Sequence, residues 1–240
     1  MENPGTLYLV ATPLGNLGDI TYRAVETLKT VALIAAEDTR RTHVLCQKYG
    51  IATPLTSLHE HNEGRKAPEL IERMKTGESV ALVTDAGMPV ISDPGAFLVE
   101  RAAAAGIPVS PIPGPSAGVA ALAVSGFRGE KFRFEGFPPK KSAAMERWLK
   151  ELADESAPVI CYESPFRLVK TLELIQKTLG EIPVVVAREL TKLHEEVTRG
   201  STGEVLRRYT ERPPKGEITL VFLPEKPMGS DPAGADPINR

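Results

Sequence analysis

Three segments of the 240-residue chain set glycine, proline and short polar side chains directly behind an apolar run. Glycine lets a backbone approach a ligand closely and proline stiffens the path, so such loops suit binding better than bare connection. The first is Ala11-Thr12-Pro13-Leu14-Gly15-Asn16-Leu17-Gly18-Asp19-Ile20-Thr21. The second, Thr84-Asp85-Ala86-Gly87-Met88-Pro89-Val90-Ile91-Ser92-Asp93-Pro94-Gly95, carries two Asp, two Gly and two Pro. Its last residues also spell a helix start, with Asp93 as N-cap and Pro94 as the first helical residue. The third, Pro111-Ile112-Pro113-Gly114-Pro115-Ser116-Ala117-Gly118, opens a small-residue helical pattern. N–H groups at a helix start can hold a carboxylate or hydroxyl beside Ser116. Neither G-x-G-x-x-G nor G-x-x-x-x-G-K-[ST] occurs, which excludes the dinucleotide fingerprint and the P-loop hydrolases.

Proton transfer would fall to Asp38, His59, His61, Glu163 or Glu189. Plain structural roles compete: Asp38 precedes a helical pattern it can cap, and Glu163 stands four residues from Arg167. His59-Glu60-His61 puts two imidazoles on one face of an extended chain, as a metal site would. A third ligand at a recognisable spacing is missing. No metal is expected, and the pair reads as an RNA contact or a hydrogen-bonded loop.

Charge is unevenly spread. The formal net charge is -2, from 29 basic and 31 acidic side chains, which taken alone discourages a nucleic-acid partner. Within residues 128–150, however, Arg128, Lys131, Arg133, Lys140, Lys141, Arg147 and Lys150 meet only Glu130, Glu135 and Glu146. Phe127, Phe132, Phe134, Phe137 and Trp148 interleave with them. Cations neutralise phosphates and exposed rings stack on unpaired bases, so this stretch reads as an RNA-contact surface. The competing arrangement buries Phe132 and Phe134 on one face of a strand with Arg133 outward. Arg40, Arg41, Arg65 and Lys66 form a second basic group.

The elements that must position these residues follow from hydrophobic patterning. Short aliphatic runs at 6–11, 31–36, 79–84 and 107–112 read as buried strands. Helical spacing at 21–29, 39–49, 63–75 and 94–105 alternates with them, with Gly50, Gly77 and Gly106 at the stops. That alternation predicts a mostly parallel sheet, whose ligands bind outside the carboxyl ends of the strands. Residues 127–141 read as a linker or a bridging strand. Helices at 142–152, 166–179 and around 202–209, with strands at 158–162, 183–188 and 218–223, predict a second α/β unit. The expected organisation is an N-terminal domain over 1–117, a C-terminal domain over 118–227 and a disordered tail over 228–240. Cys46 and Cys161 read as core residues, too few for a disulfide scaffold. No apolar run reaches the ~18 residues of a spanning helix. Met1-Glu2-Asn3-Pro4-Gly5 lacks the apolar core of a secretory signal. A cytoplasmic protein is the expectation.

ATPLGNLGDIT, DAGMPVISDPG and PGPSA, in that order, resemble the tetrapyrrole methylase superfamily. The resemblance implies two tandem α/β domains, a cofactor cleft between them, and S-adenosylmethionine as methyl donor. It implies donor contacts at Pro13, Leu14, Asp85, Gly87, Met88, Val90, Ile91, Ser116 and Ala117. From the second domain it implies Tyr162, Lys215, Gly216 and Glu217. Where the superfamily often has Gly-Asp-Pro this chain has Gly87-Met88-Pro89, which leaves Asp85 as the substitute acid.

Further segments narrow the resemblance: Glu37-Asp38-Thr39-Arg40-Arg41-Thr42, Leu58-His59-Glu60-His61-Asn62-Glu63, Tyr162-Glu163-Ser164-Pro165-Phe166-Arg167, Arg188-Glu189-Leu190-Thr191-Lys192 and Lys215-Gly216-Glu217. These are similar to the branch that methylates the ribose 2′-oxygen of a decoding-region cytidine in 16S rRNA. With it come a proton acceptor among Asp38, Glu163 and His59, and RNA contacts at Arg40, Arg41, Arg128, Lys131, Arg133, Lys140 and Lys141. A homodimer that acts on the small ribosomal subunit, away from membranes, is implied as well. Two other readings stay open: methylation of a corrin or porphyrin precursor, and a non-catalytic RNA-binding ribosome assembly factor.

Overall fold

A computed structural model describes residues 4–224, so the expected tail at 228–240 lies outside the described residues. The chain gathers into two units. One runs to Ala120 and takes back Glu189–Glu195; the other is made of Ala121–Arg188 and the chain from Glu196 onward. The division falls three residues beyond the position expected from the sequence, and the return of Glu189–Glu195 was not foreseen.

In the first unit five strands alternate with helices. They are β1 (Leu7–Val10), β2 (Leu33–Ala36), β3 (Leu55–Ser57), β4 (Val80–Val83) and β5 (Val109–Ile112). The helices are α1 (Tyr22–Thr30), α2 (Thr39–Tyr49), α3 (Glu63–Lys75), α4 (Ala96–Ala104) and α5 (Ala117–Ser125), the last carrying the unit boundary. The sheet order is β3-β2-β4-β1-β5, every pair parallel. Alternation of side chains along each strand feeds two cores. Leu33, Ala35, Val80 and Leu82 pack with Leu70, Met74 and Leu98 on one face. Ile34, Ala36, Ala81 and Val83 pack with Ala24, Leu28 and Leu45 on the other. Covered on both faces, β2 and β4 are buried throughout, which is why they stand out as continuous aliphatic runs. The three-residue edge strand β3 is only half-buried and carries no such run, so patterning missed it.

The second unit holds β6 (Arg133–Phe134), α6 (Ser142–Glu151), β7 (Val159–Glu163), α7 (Leu168–Leu179), β8 (Pro183–Arg188), β9 (Glu196–Ser201), α8 (Thr202–Glu211) and β10 (Ile218–Phe222). Its sheet order is β6-β7-β10-β8-β9. Only β6 and β7 are parallel; the other three pairings are antiparallel. Residues 127–141 therefore contribute a short bridging strand. The polar edge strand β9 was invisible to patterning because its residues are half-exposed or exposed and Val197 is its lone aliphatic side chain. Leu149, Leu168, Leu172, Val186, Leu220 and Phe222 form the core, with Trp148 edge-on to Phe222.

Candidate active site

In the first sheet β1 lies between β4 and β5, so the loops behind these three strands emerge side by side. They are stitched together. The Thr12 N–H donates to the Gly87 carbonyl at 2.9 Å and the Gly87 N–H returns to Thr12 at 3.0 Å. The buried Thr12 hydroxyl donates to the Thr84 carbonyl at 3.0 Å. Gly87 has φ +87°, and a Cβ there would stand 3.5 Å from Leu14 Cδ2 and 3.7 Å from the Pro115 carbonyl oxygen. All three loops picked out from the sequence thus converge on one glycine. Pro13, Leu14 and Pro89 are buried around it, Met88 and Val90 half-buried, and Ile91 exposed. Ser116 and Ala117 sit at the start of α5, where the Ser116 carbonyl accepts the Ala120 N–H at 2.9 Å.

The loop behind β4 is backbone-strained. Val90 and Ser92 have φ of 77° and 66°, a left-handed conformation unfavourable for any residue with a Cβ and worst for a β-branched one. Asp93 does not cap the following helix, contrary to expectation. Gly95 is the N-cap of α4, and the Glu63 carboxylate of α3 accepts the Leu98 N–H at 3.1 Å in its place. The Asp93 carboxyl is instead set among other acids at the end of β4. Glu37, following β2, accepts the Thr84 hydroxyl at 2.7 Å and the Asp85 N–H at 3.3 Å. Burial first, and then the neighbouring Glu37 charge, push the Asp93 pKa up to about 6; hydrogen bonding with Thr84 pulls the other way. Asp93 and Glu37 are the acids beside this loop that sequence reasoning did not single out as candidates for proton transfer. The Gly/Pro richness of the loop marked the place, but nothing local marked the proton affinity.

The expected proton acceptors fare differently. Asp38 caps α2 by accepting the Arg40 N–H at 2.9 Å, and the Arg40 guanidinium grips it in two hydrogen bonds. That side-chain pairing holds its carboxyl far below the usual range, which makes it a poor base. Asp85 is turned toward the Asp38 N–H at 3.2 Å and pairs with Arg41 at 3.2 Å; burial and then Glu37 raise its pKa. His59 follows the edge strand β3, two strands removed from β4. Its backbone N–H donates to Asn62 Oδ1 at 2.9 Å, while Nδ1 is buried with no hydrogen-bond partner.

Glu163, in the second unit, is enclosed by protein partners. Its side chain has 0% exposure, and the carboxylate accepts the Ser164 N–H at 2.7 Å and the Thr171 hydroxyl at 2.5 Å, with Arg167 at 3.6 Å. It clamps the start of α7 through these partners. Thr171→Val strips one of these donors from a buried carboxylate and is expected to cost about 1–3 kcal/mol of stability, read from urea unfolding. An unchanged midpoint would show that the bond contributes nothing.

Also in the second unit, Tyr162 receives Phe134 and Phe137 edge-on, at ring separations of 5.2 and 5.6 Å. Lys215, Gly216 and Glu217 lead into β10 and are exposed, and the Lys215 carbonyl accepts from Arg188 at 3.3 Å. Register places Thr219 opposite Tyr162, so both segments lie at the same end of that sheet. Arg128, Lys131, Lys140 and Lys141 are exposed beside Phe132 and Phe137, which are 46% and 61% exposed. Arg133 is exposed but paired with Glu135 and Glu155. Phe132 is therefore a surface ring, while Phe134 is half-buried against Tyr162.

Among the described residues, no helix is long and apolar enough to cross a membrane, and no three His, Cys, Asp or Glu are grouped to hold a metal ion.

Comparison with known proteins bears on this geometry. The family model for Tetrapyrrole (Corrin/Porphyrin) Methylases matches residues 6–206. The chain is 50% identical over 218 residues to the ribosomal RNA small subunit methyltransferase I of Thermotoga maritima, covering 91% of this chain and 98% of that one. It is 46% identical over 217 residues to the protein of the same name from Bacillus subtilis, covering 90% and 74%. Among solved structures, the methyltransferase CobJ superposes with a TM-score of 0.68 at 19% identity, covering 91% of this chain and 93% of that one. A uroporphyrin-III-C-methyltransferase from Thermus thermophilus does so with 0.62 at 20% identity, covering 90% and 94%; at such identities the likeness is one of fold. With the family model spanning most of its length and 50% identity to a relative over 91% of this chain, the chain belongs to the tetrapyrrole methylase family of methyltransferases.

Proposed function

We propose that the chain transfers a methyl group from S-adenosylmethionine to the ribose 2′-oxygen of a cytidine in the decoding region of 16S rRNA. The observation that carries this reading is the convergence of three ligand-type loops on Gly87 in a chain half identical to a ribosomal RNA small subunit methyltransferase I. The donor fits those loops. Gly87 leaves open the space a Cβ would fill between Leu14 and Pro115, and Pro13, Leu14, Met88 and Val90 give it apolar walls. When bound, S-adenosylmethionine supplies a methyl group activated as a sulfonium. Apolar walls suit it, because they hydrate a positive sulfur poorly and so favour its discharge. Backbone N–H groups around Ser116, at the start of α5, suit its carboxylate.

The ribose hydroxyl must give up its proton as its oxygen forms the new bond to carbon. Asp93 takes that proton, since a carboxylate raised to about 6 is ionised at neutral pH yet more basic than an ordinary one. Its placement behind β4 puts it on the same loop as Gly87. Arg128, Lys131, Lys140 and Lys141 neutralise phosphates, and Phe132 and Phe137 offer faces for unpaired bases. Arg40 and Arg41 are spent on Asp38 and Asp85 and contribute less. A cytoplasmic homodimer completes the reading; its mass is checked by light scattering.

Incubation with labelled S-adenosylmethionine and unmodified small ribosomal subunits tests the reading. Label in a cytidine ribose supports it. Label only in a supplied porphyrin or corrin precursor replaces it with tetrapyrrole methylation. Tight subunit binding with no label in either would leave an assembly factor.

A further inference from the structure

The connection from β8 to β9 is longer than strand pairing needs. The two strands pair up to Arg188 opposite Glu196, so the seven intervening residues form an excursion where hairpins commonly turn in two to five. That excursion gathers with the first unit. Two of its residues, Glu189 and Thr191, take left-handed φ values of 51° and 67° without being glycine. Strain of this kind persists only where surrounding contacts impose it, and it concentrates at ligand-handling segments.

The contacts that impose it lead to the loop behind β1. The Asn16 N–H donates to Thr191 Oγ1 at 3.3 Å, and the Thr191 N–H donates to Glu195 at 2.6 Å. The stem of Lys192 lies across Gly15, where a Cβ would stand 2.5 Å from Cγ, 2.6 Å from Cε and 2.9 Å from Cδ. Gly15 is needed here for space, not for a left-handed φ. At the far end, Glu189 Oε1 accepts from Lys192 Nζ at 3.0 Å, and both side chains remain about one-quarter exposed or less, at 25% and 20%. A cation is thus held, one-quarter exposed, on a braced stem against the residue next to Leu14.

We infer that Lys192 is a substrate-binding residue whose ammonium contacts the sugar–phosphate of the RNA nucleotide brought to the loop behind β1. The inference rests on the RNA-methylation reading above. Charge decides between the two ligands of that site. S-adenosylmethionine carries a sulfonium and an ammonium against one carboxylate, so a further cation beside it gains little. RNA presents a negative charge at every nucleotide, and a cation fixed by a short buttressed stem meets it without ordering a free side chain. Glu189 orients the ammonium and weakens its pull on mobile anions.

Lys192→Met separates charge from packing, because it keeps most of the stem over Gly15. With unmodified small subunits as substrate, the KM for subunits is expected to rise roughly tenfold, with kcat at saturation within about threefold of wild type. The slope of log affinity against log salt should become shallower by roughly 0.7–0.9, the signature of one lost phosphate contact. Affinity for S-adenosylmethionine, measured by calorimetry, should stay at the wild-type value and also reports that the variant is folded. Lys192→Arg should recover most of the affinity. An unchanged salt slope and KM would overturn the inference, as would a loss confined to kcat or to donor affinity. Subunit binding is scored by filter retention without chemistry. A wild type that methylates no RNA would therefore reject the functional reading, while the salt slope still decides the Lys192 contact.

Discussion

Asp93→Asn is expected to lower methyl transfer by roughly 10²- to 10⁴-fold while S-adenosylmethionine still binds. The amide keeps the size of the side chain but cannot take a proton. In the wild type the rate should climb as pH rises through about 6 and level off above it, because only the ionised carboxylate is a base. The variant should lose that ascending limb. The same substitution should stabilise the fold, and the sign follows from the direction of the shift. The folded-state pKa lies above the unfolded value of 3.8, so the stability Asp93 contributes is fully present below about pH 4 and is lost as pH rises through about 6. Above that range the wild type carries an ionised, half-buried carboxylate beside Glu37 and Asp85. Two pKa units correspond to ~3 kcal/mol; allowing for partial exposure, Asp93→Asn should gain about 1–2 kcal/mol at pH 8 and almost nothing at pH 4. Urea unfolding at the two pH values checks this. Equal effects at both, or a fully active variant, would remove Asp93 from the role. A residue whose loss strengthens the fold and abolishes the reaction is what a site maintained for function predicts.

Gly95→Ala should cost about 3–5 kcal/mol, with loss of donor binding. Two costs add. Gly95 has φ +119°, a conformation nearly reserved for glycine, and its Cβ would fall 2.4 Å from Leu82 Cδ2 and 3.3 Å from Val90 Cγ2. Leu82 is 1% exposed in the middle of β4, so it has nowhere to go without disturbing the core. Val90 already sits at φ 77° and would be pushed out of the strained loop that carries Gly87. Gly50→Ala is the control. Gly50 has φ +62° and nothing within 4 Å of its Cβ, so only the backbone cost remains, about 1 kcal/mol. Thermal or urea unfolding of the pair measures the difference; comparable losses would mean that the packing around Gly95 relaxes freely.

Much of the first unit was legible before any coordinates. β2 and β4 are short, aliphatic and buried on both faces, and a run of that kind has few other places to lie. Gly50 stops α2 in the left-handed conformation its position foretold. Elements that face water on one side, β3 and β9, left no comparable trace, and the antiparallel pairings of β10 with β7 and β8 join strands that are not consecutive in the chain. Glu163 shows the limit for single residues. Its motif marked it as reactive, yet the Thr171 hydroxyl and Ser164 N–H that enclose it make it a structural clamp.

The sequence by itself determined which loops could meet a ligand, because glycine and proline act on the backbone where they stand. Only the tertiary structure decided which acid can hold a proton and which cation is braced beside the site. Asp93 owes its proton affinity to burial and to Glu37, a residue from another strand's end. Lys192 owes its position to Gly15 and Asn16, more than 170 residues earlier. Conformational preference is local, whereas electrostatic energy depends on distances and desolvation that exist only once the sheet has brought its loops together.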